Sequence, residues 1–210
     1  MTAKEWDNYW GDKKKNRIFK IFRTHVFARA VRYYTDKYFS REGVFVEAGC
    51  GSGQTSIRIV KYNRKLIALD ISKKALEEAR KNTKFDEFIE GDIANLPFED
   101  NSIDGIWNLG VMEHFSEEEL PEVINECHRV LRKGGYLIIF WATKIAHYQL
   151  LLDNYNKLFK KNFQLFPDEH TRAKSKRHAR ELMSKSKFAD CDIFFSWRDL
   201  FTDIVIVAKK

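Results

Sequence analysis

The chain has little cysteine, no long apolar run and no low-complexity segment, and each shortage removes a class of protein. Its three cysteines, Cys50, Cys127 and Cys191, lie far apart. Neither a disulfide framework nor a zinc site is expected, and no other metal site is called; a reducing, cytoplasmic setting fits. No apolar run approaches the ~20 residues of a membrane span. Residues 1–5 lead into a charged aromatic segment, not the apolar core of a secretory signal. No linker rich in Gly, Ser or Pro and no internal repeat divides the sequence.

What is present is a chain of 210 residues with a hydrophobic share of 44%, enough for one α/β domain with a core of normal size. The net charge of +7 is uneven: residues 1–42 carry +6 and residues 157–187 carry +7, whereas residues 43–156 carry −5. Basic flanks around an acidic centre suit anionic partners, and equally suit the solvated faces of amphipathic helices. Oligomeric state is not legible.

Apolar residues at steps of three and four, from Ile18 and Phe22 to Tyr34, predict one or two amphipathic helices over residues 13–39, with Gly43 as a break. Short apolar runs then alternate with helical patterns. Strands are expected at residues 44–46, 66–70, 85–91, 103–109 and 136–141, with a closing pair at 192–197 and 200–208. Helices are expected at residues 55–62, at 73–84 behind an N-capping Ser72, and from Ser116 to the basic, glycine-ended stretch 132–135. Two helical stretches flank residues 166–169. Repeated βα units imply a mostly parallel sheet with helices on both faces.

The most informative stretch is Glu47-Ala48-Gly49-Cys50-Gly51-Ser52-Gly53-Gln54. Glycine lets a ligand press against bare backbone, and a glycine loop opening a helix aims N–H groups at negative charge. Acidic residues recur at strand ends, where open sheets bind ligands. Glu47 could hold an amine. Asp70, ~20 residues past the loop, stands where a carboxylate chelates ribose hydroxyls. Asp92 could accept from an adenine amine, with Ile93 offering an N–H and an apolar wall. A dinucleotide fingerprint needs glycine where Gln54 stands. An amine, a carboxylate, a ribose and an adenine instead match S-adenosylmethionine.

From about Val44 to Phe140 the sequence resembles the class I S-adenosylmethionine-dependent methyltransferases, within them the type 11 group of small-molecule enzymes. The resemblance rests on residues 47–53, Ile67 to Ile71, Gly91-Asp92-Ile93, Leu96-Pro97-Phe98 with Ile103-Asp104, Asn108-Leu109-Gly110-Val111-Met112-Glu113-His114-Phe115, and residues 129–135. It implies a Rossmann-like, seven-stranded, mostly parallel sheet whose last strand is antiparallel. It also implies a cofactor site of Glu47, Gly49, Cys50, Gly51, Gly53, Asp70, Ile71, Asp92, Ile93 and Asn108. Asp70 would bind ribose, Asp92 and Ile93 would flank adenine, and Asn108 would lie near the methionine portion. S-adenosylhomocysteine would be the product. The expected division is a helical cap at 1–42, a cofactor-binding core at 43–143, a helical insertion capping the substrate at 144–187, and a closing strand pair at 188–210.

Methyl transfer from a sulfonium needs mainly alignment and desolvation, so a general base is optional. No catalytic residue is assigned; His114, His147, Tyr148, His170 and His178 are the groups available. The absence of an Asn/Asp-Pro-Pro-aromatic sequence after the fourth strand argues, by resemblance, against exocyclic-amine methylation of nucleic acids. The absence of a Pro-Cys pair leaves a covalent pyrimidine mechanism without its nucleophile. The cluster Trp6-Asp7-Asn8-Tyr9-Trp10 reads as a lid over the cofactor or as a helix packed on the sheet edge. The expected acceptor is a small molecule, acidic or phosphorylated because the flanks are basic. The alternatives are an RNA or protein methyltransferase tracking its substrate with those flanks, and a cofactor-binding subunit without activity.

Overall fold

The computed structural model describes residues 2–11, 20–143, 157–158 and 169–210. The apolar runs become seven strands: β1 (Glu42–Ala48), β2 (Asn63–Asp70), β3 (Glu87–Glu90), β4 (Ile103–Leu109), β5 (Leu131–Ala142), β6 (Cys191–Phe195) and β7 (Asp203–Lys209). They form one sheet in the order β3-β2-β1-β4-β5-β7-β6. All neighbours are parallel except those of β7, which runs antiparallel between β5 and β6. The helices are α1 (Ala3–Gly11), α2 (Ala28–Tyr38), α3 (Lys73–Asn82), α4 (Leu120–Val130) and α5 (Lys176–Met183).

Strand alternation sends successive side chains to opposite faces. Val46, Ile67, Leu69, Ile106, Leu137, Ile139 and Ile206 pack with α4 and α5 on one face. Phe45, Leu66, Ala68, Trp107, Ile138, Phe140 and Val207 pack with α2 and α3 on the other. Burial on both faces explains the unbroken apolar runs of β2, β5 and β7. Strand order reverses at β1, which has β2 on one side and β4 on the other. The crevice beyond their carboxyl ends is where such sheets bind ligands. Among the described residues no helix is long and apolar enough to cross a membrane.

Five local expectations need correction. Residues 55–62 are not a helix but a run of turns, with Ser56 N–H donating to Gly53 O and Ile59 N–H to Ser56 O, each at 3.1 Å. Tertiary bonds hold the segment open: Thr55 Oγ1 donates to Glu47 Oε1 at 3.1 Å, and Trp107 Nε1 donates to Ser56 Oγ at 3.3 Å. The β-branched Thr55, Ile57, Ile59 and Val60 add little helix preference against them. Gly43 lies within β1, beside the Asp104 carboxylate that accepts Val44 N–H. Residues 132–135 do not close a helix; α4 ends at Val130, and Gly134 and Gly135 bond Lys210 at the end of β7. Upstream of α2, the expected amphipathic helix winds as a π-helical turn over Phe22–Phe27. Ser116 opens only a turn before α4, through a reciprocal cap with Glu119.

Candidate functional site

Beyond Ala48 the chain turns across the tip of β2. Gly49 and Cys50 N–H both donate to Leu69 O, at 2.8 and 3.0 Å. Gly49 (φ +77°) and Gly51 (φ +51°) hold the left-handed conformation this turn requires. Gly51 N–H donates to Asp70 Oδ2 at 2.7 Å, and Ser72 N–H to Asp70 Oδ1 at 2.9 Å. Asp70 is therefore fixed by backbone amides on both oxygens. Burial still pushes its carboxyl up to about 6. A side chain at Gly51 would put its Cβ 2.5 Å from Trp10 Cζ2, so an aromatic ring rests directly on the loop.

That ring belongs to α1, which is moored by Asp7. Ser72 Oγ caps α3 by accepting Ala75 N–H at 3.1 Å, and donates to Asp7 Oδ1 at 2.6 Å. Lys74 N–H donates to the same oxygen at 3.2 Å. These bonds hold Asp7 below the usual carboxylate range. Trp6 stands edge-on to His114, ring centres 4.7 Å apart, and the Arg23 guanidinium lies 5.3 Å from the Trp10 ring centre.

Helix, loop and strand tips enclose a cavity of about 220 Å³. Of the sequence-derived residues, Gly49, Cys50, Gly51, Asp70, Ile71, Asp92 and Ile93 line it; Glu47, Gly53 and Asn108 do not. Gly53 is a packing glycine, since a Cβ there would stand 2.5 Å from Thr83 Cγ2 and 3.3 Å from Ala79 on α3. Glu47 and Asn108 are buried behind the loop. Glu47 Oε2 and both side-chain polar atoms of Asn108 lack a partner among the described residues, and burial pushes Glu47 up to about 7. Asp92 Oδ1 accepts Ala94 N–H at 2.9 Å. The lining also includes Arg23, Phe27, Thr55 and Phe115, which sequence reasoning did not select. Arg23 left one trace, a basic residue next to the apolar stripe of its helix.

A second cavity, about 50 Å³, shares Phe27, Leu109, Gly110 and His114 with the first. Glu113, Glu169 and Asp203 bring three carboxylates to it. Glu113 Oε1 accepts Ala142 N–H at 2.5 Å, while Oε2 has no partner among the described residues. Burial pushes Glu113 up to about 7. Asp203 Oδ2 is likewise unpartnered, and burial, with Asp199 and Glu113 nearby, raises Asp203 well above its ordinary value. Glu169 is ion-paired with Arg172. His170 and Thr171 N–H donate to Glu113 O, wrapping that segment around the glutamate. His178 is engaged elsewhere, 3.1 Å from Glu117. His147 and Tyr148 lie outside the described residues.

The model of a family described as a methyltransferase domain, type 11, matches residues 46–139. The malonyl-[acyl-carrier protein] O-methyltransferase of Erwinia pyrifoliae is 36% identical over 99 residues, 47% of this chain and 37% of that one. The tRNA N(3)-methylcytidine methyltransferase of Drosophila melanogaster is 30% identical over 153 residues, 65% of this chain and 46% of that one. The chain thus spans less than half the length of these curated relatives. Among solved structures, a SAM-dependent methyltransferase of Thermotoga maritima superposes with a TM-score of 0.67 at 20% identity, covering 98% of this chain and 99% of that one. Residues 46–139 thus match the type 11 methyltransferase domain, and the chain is similar to S-adenosylmethionine-dependent methyltransferases in sequence and to Rossmann-like methyltransferases in fold.

Proposed function

We propose that the chain binds S-adenosylmethionine in the larger cavity and methylates a small acceptor presented from the smaller one. The observation that carries this reading is the convergence of the glycine-loop amides and the Asp70 carboxylate on one cavity at the sheet's switch point. The donor set fits the group. Asp70 is fixed to accept from ribose hydroxyls, and Asp92 and Ile93 lie where adenine would be flanked. Unpartnered Glu47 and Asn108 stand behind the loop as reserves of hydrogen bonding for the amino-acid end. Glu47 acts through Thr55, whose hydroxyl it holds and which lines the cavity. When bound, S-adenosylmethionine supplies a methyl group on an already activated sulfur. The chain's own contribution is alignment and exclusion of water. Trp6, Tyr9 and Trp10 serve as the lid, because their rings wall the cavity and Asp7 moors their helix.

Part of the basic charge of the flanks is met within the chain. Arg172, Lys174 and Arg177 are each paired with a glutamate, and residues 13–17 lie outside the described ones. Incubating the purified chain with methyl-labelled cofactor and a metabolite extract tests the reading. Label in a low-molecular-weight product supports it; label nowhere contradicts it. A second reading, an RNA acceptor, is favoured by the 153-residue similarity to a tRNA methyltransferase. Label in RNA, with binding that weakens steeply as salt rises, would select it.

A further inference from the structure

We propose that the smaller cavity binds a protonated nitrogen, so that the acceptor is an amine held between Glu113 Oε2 and Asp203 Oδ2. The inference rests on reading the larger cavity as the methyl-donor site, because Phe27, Leu109, Gly110 and His114 wall both. Buried polar atoms are almost always partnered, and an unpaired buried carboxylate oxygen is costly. Glu113 is 2% exposed and Asp203 is 3% exposed, yet each keeps one oxygen without a partner among the described residues. Capping the Ala142 amide needs only one oxygen of Glu113, and a neutral glutamine would supply it without burying charge.

The charged groups around the cavity are mostly acidic, with the Arg172 guanidinium acting against them on both Glu113 and Asp203. Asp199 stands behind Asp203 and raises its proton affinity. Glu169 completes the acidic set, and its charge is met by the Arg172 guanidinium. His114 is the titratable group on the shared wall. Above about pH 7, where Glu113 is ionised, one arginine against the carboxylates around it leaves an excess of negative charge. A carboxylate or phosphate acceptor would be repelled there, and an alcohol or phenol would leave that excess uncompensated. An ammonium satisfies both open oxygens at once.

The same pair deals with the proton. An ammonium has no free electron pair, so it must lose a proton before its nitrogen can accept a methyl group. Glu113 Oε2 takes it: the N–H bond breaks, an O–H bond forms, and the electron pair stays on nitrogen. With its carboxyl raised to about 7, Glu113 can hold and release that proton near neutrality.

The test is calorimetric titration of the S-adenosylhomocysteine-saturated chain with benzylamine, benzyl alcohol and benzoate at about pH 8. Benzylamine is expected to bind at least about tenfold tighter than the other two. Its affinity should fall towards about pH 6, as Glu113, raised to about 7, becomes neutral. Glu113→Gln, which keeps the acceptor for Ala142 N–H, and Asp203→Asn should each weaken benzylamine about tenfold and leave S-adenosylhomocysteine within about twofold. Benzoate binding as tightly as benzylamine, or no benzylamine binding to the saturated chain, overturns the inference while the donor site stands. Failure of S-adenosylhomocysteine itself to bind brings down the donor-site reading and this inference with it. The wild-type comparison of the three probes decides the matter even if a variant misfolds.

Discussion

The two cavities share a wall but use their carboxylates in opposite ways. In the larger, both oxygens of Asp70 are already engaged by backbone amides of the loop and of the turn into α3. In the smaller, Glu113 and Asp203 each present an oxygen with no partner among the described residues. Glu47 and Asn108 also lack partners, but they sit behind the larger cavity without lining it. The first cavity is organised before its ligand arrives, which lowers the cost of binding. In the proposed amine complex, the second has its charge balanced by the ligand. One side is therefore fixed by its own amides, and the other keeps carboxylate oxygens without a partner among the described residues.

The comparison breaks most readily at Asp70. Asp70→Ala releases the Gly51 and Ser72 amides and removes the ribose acceptor. S-adenosylhomocysteine affinity should fall about a hundredfold by calorimetry, ~2.7 kcal/mol. A change under about threefold would mean the larger cavity is not organised around this carboxylate.

Trp10→Ala sharpens the same side, because it strips the ring from Gly51 without touching a carboxylate. A loss of about tenfold in S-adenosylhomocysteine affinity is expected. Unchanged affinity would make α1 a packing element only.

Protonation reaches both sides. Burial raises Glu113 and Glu47 to about 7 and Asp70 to about 6 in the folded chain, above their ordinary values. The folded state thus binds more protons than the unfolded one between roughly pH 4 and 7. The stability this contributes is fully present below the unfolded values and is lost as pH rises through the folded ones. The melting temperature of the free chain should drop by several degrees between about pH 5 and pH 8. Glu113→Gln should flatten the drop. A melting temperature that rises over this window would contradict the burial of unpaired carboxylates.

The smallest effect is expected from Ser72→Ala. It removes the α3 cap and one bond to Asp7, costing about 1 kcal/mol in denaturant unfolding. Ligand affinity should weaken only slightly, because Lys74 N–H still holds Asp7.

Legibility in the sequence follows the same division. The larger cavity is built largely from contiguous signals, residues 47–53 and the strand-end residues Asp70, Ile71, Asp92 and Ile93, so motif and period locate it. The sheet was equally legible, because apolar runs report burial on both faces. Residues 55–62 misled because Glu47, eight positions back, and Trp107, 51 positions on, pull Thr55 and Ser56 out of helical geometry. Gly53 carries the spacing of a ligand glycine but packs on α3. The smaller cavity left almost no trace: Glu113, Glu169 and Asp203 lie 34 to 90 positions apart and meet only when β7 inserts beside β5. Asp203 on its own reads as the polar start of a strand.

The most direct test of the central claim is calorimetric titration of the purified wild-type chain with S-adenosylhomocysteine, with NAD as the parallel ligand. The account predicts one saturable site for S-adenosylhomocysteine and no comparable heat from NAD. Binding of NAD with none of S-adenosylhomocysteine would contradict it.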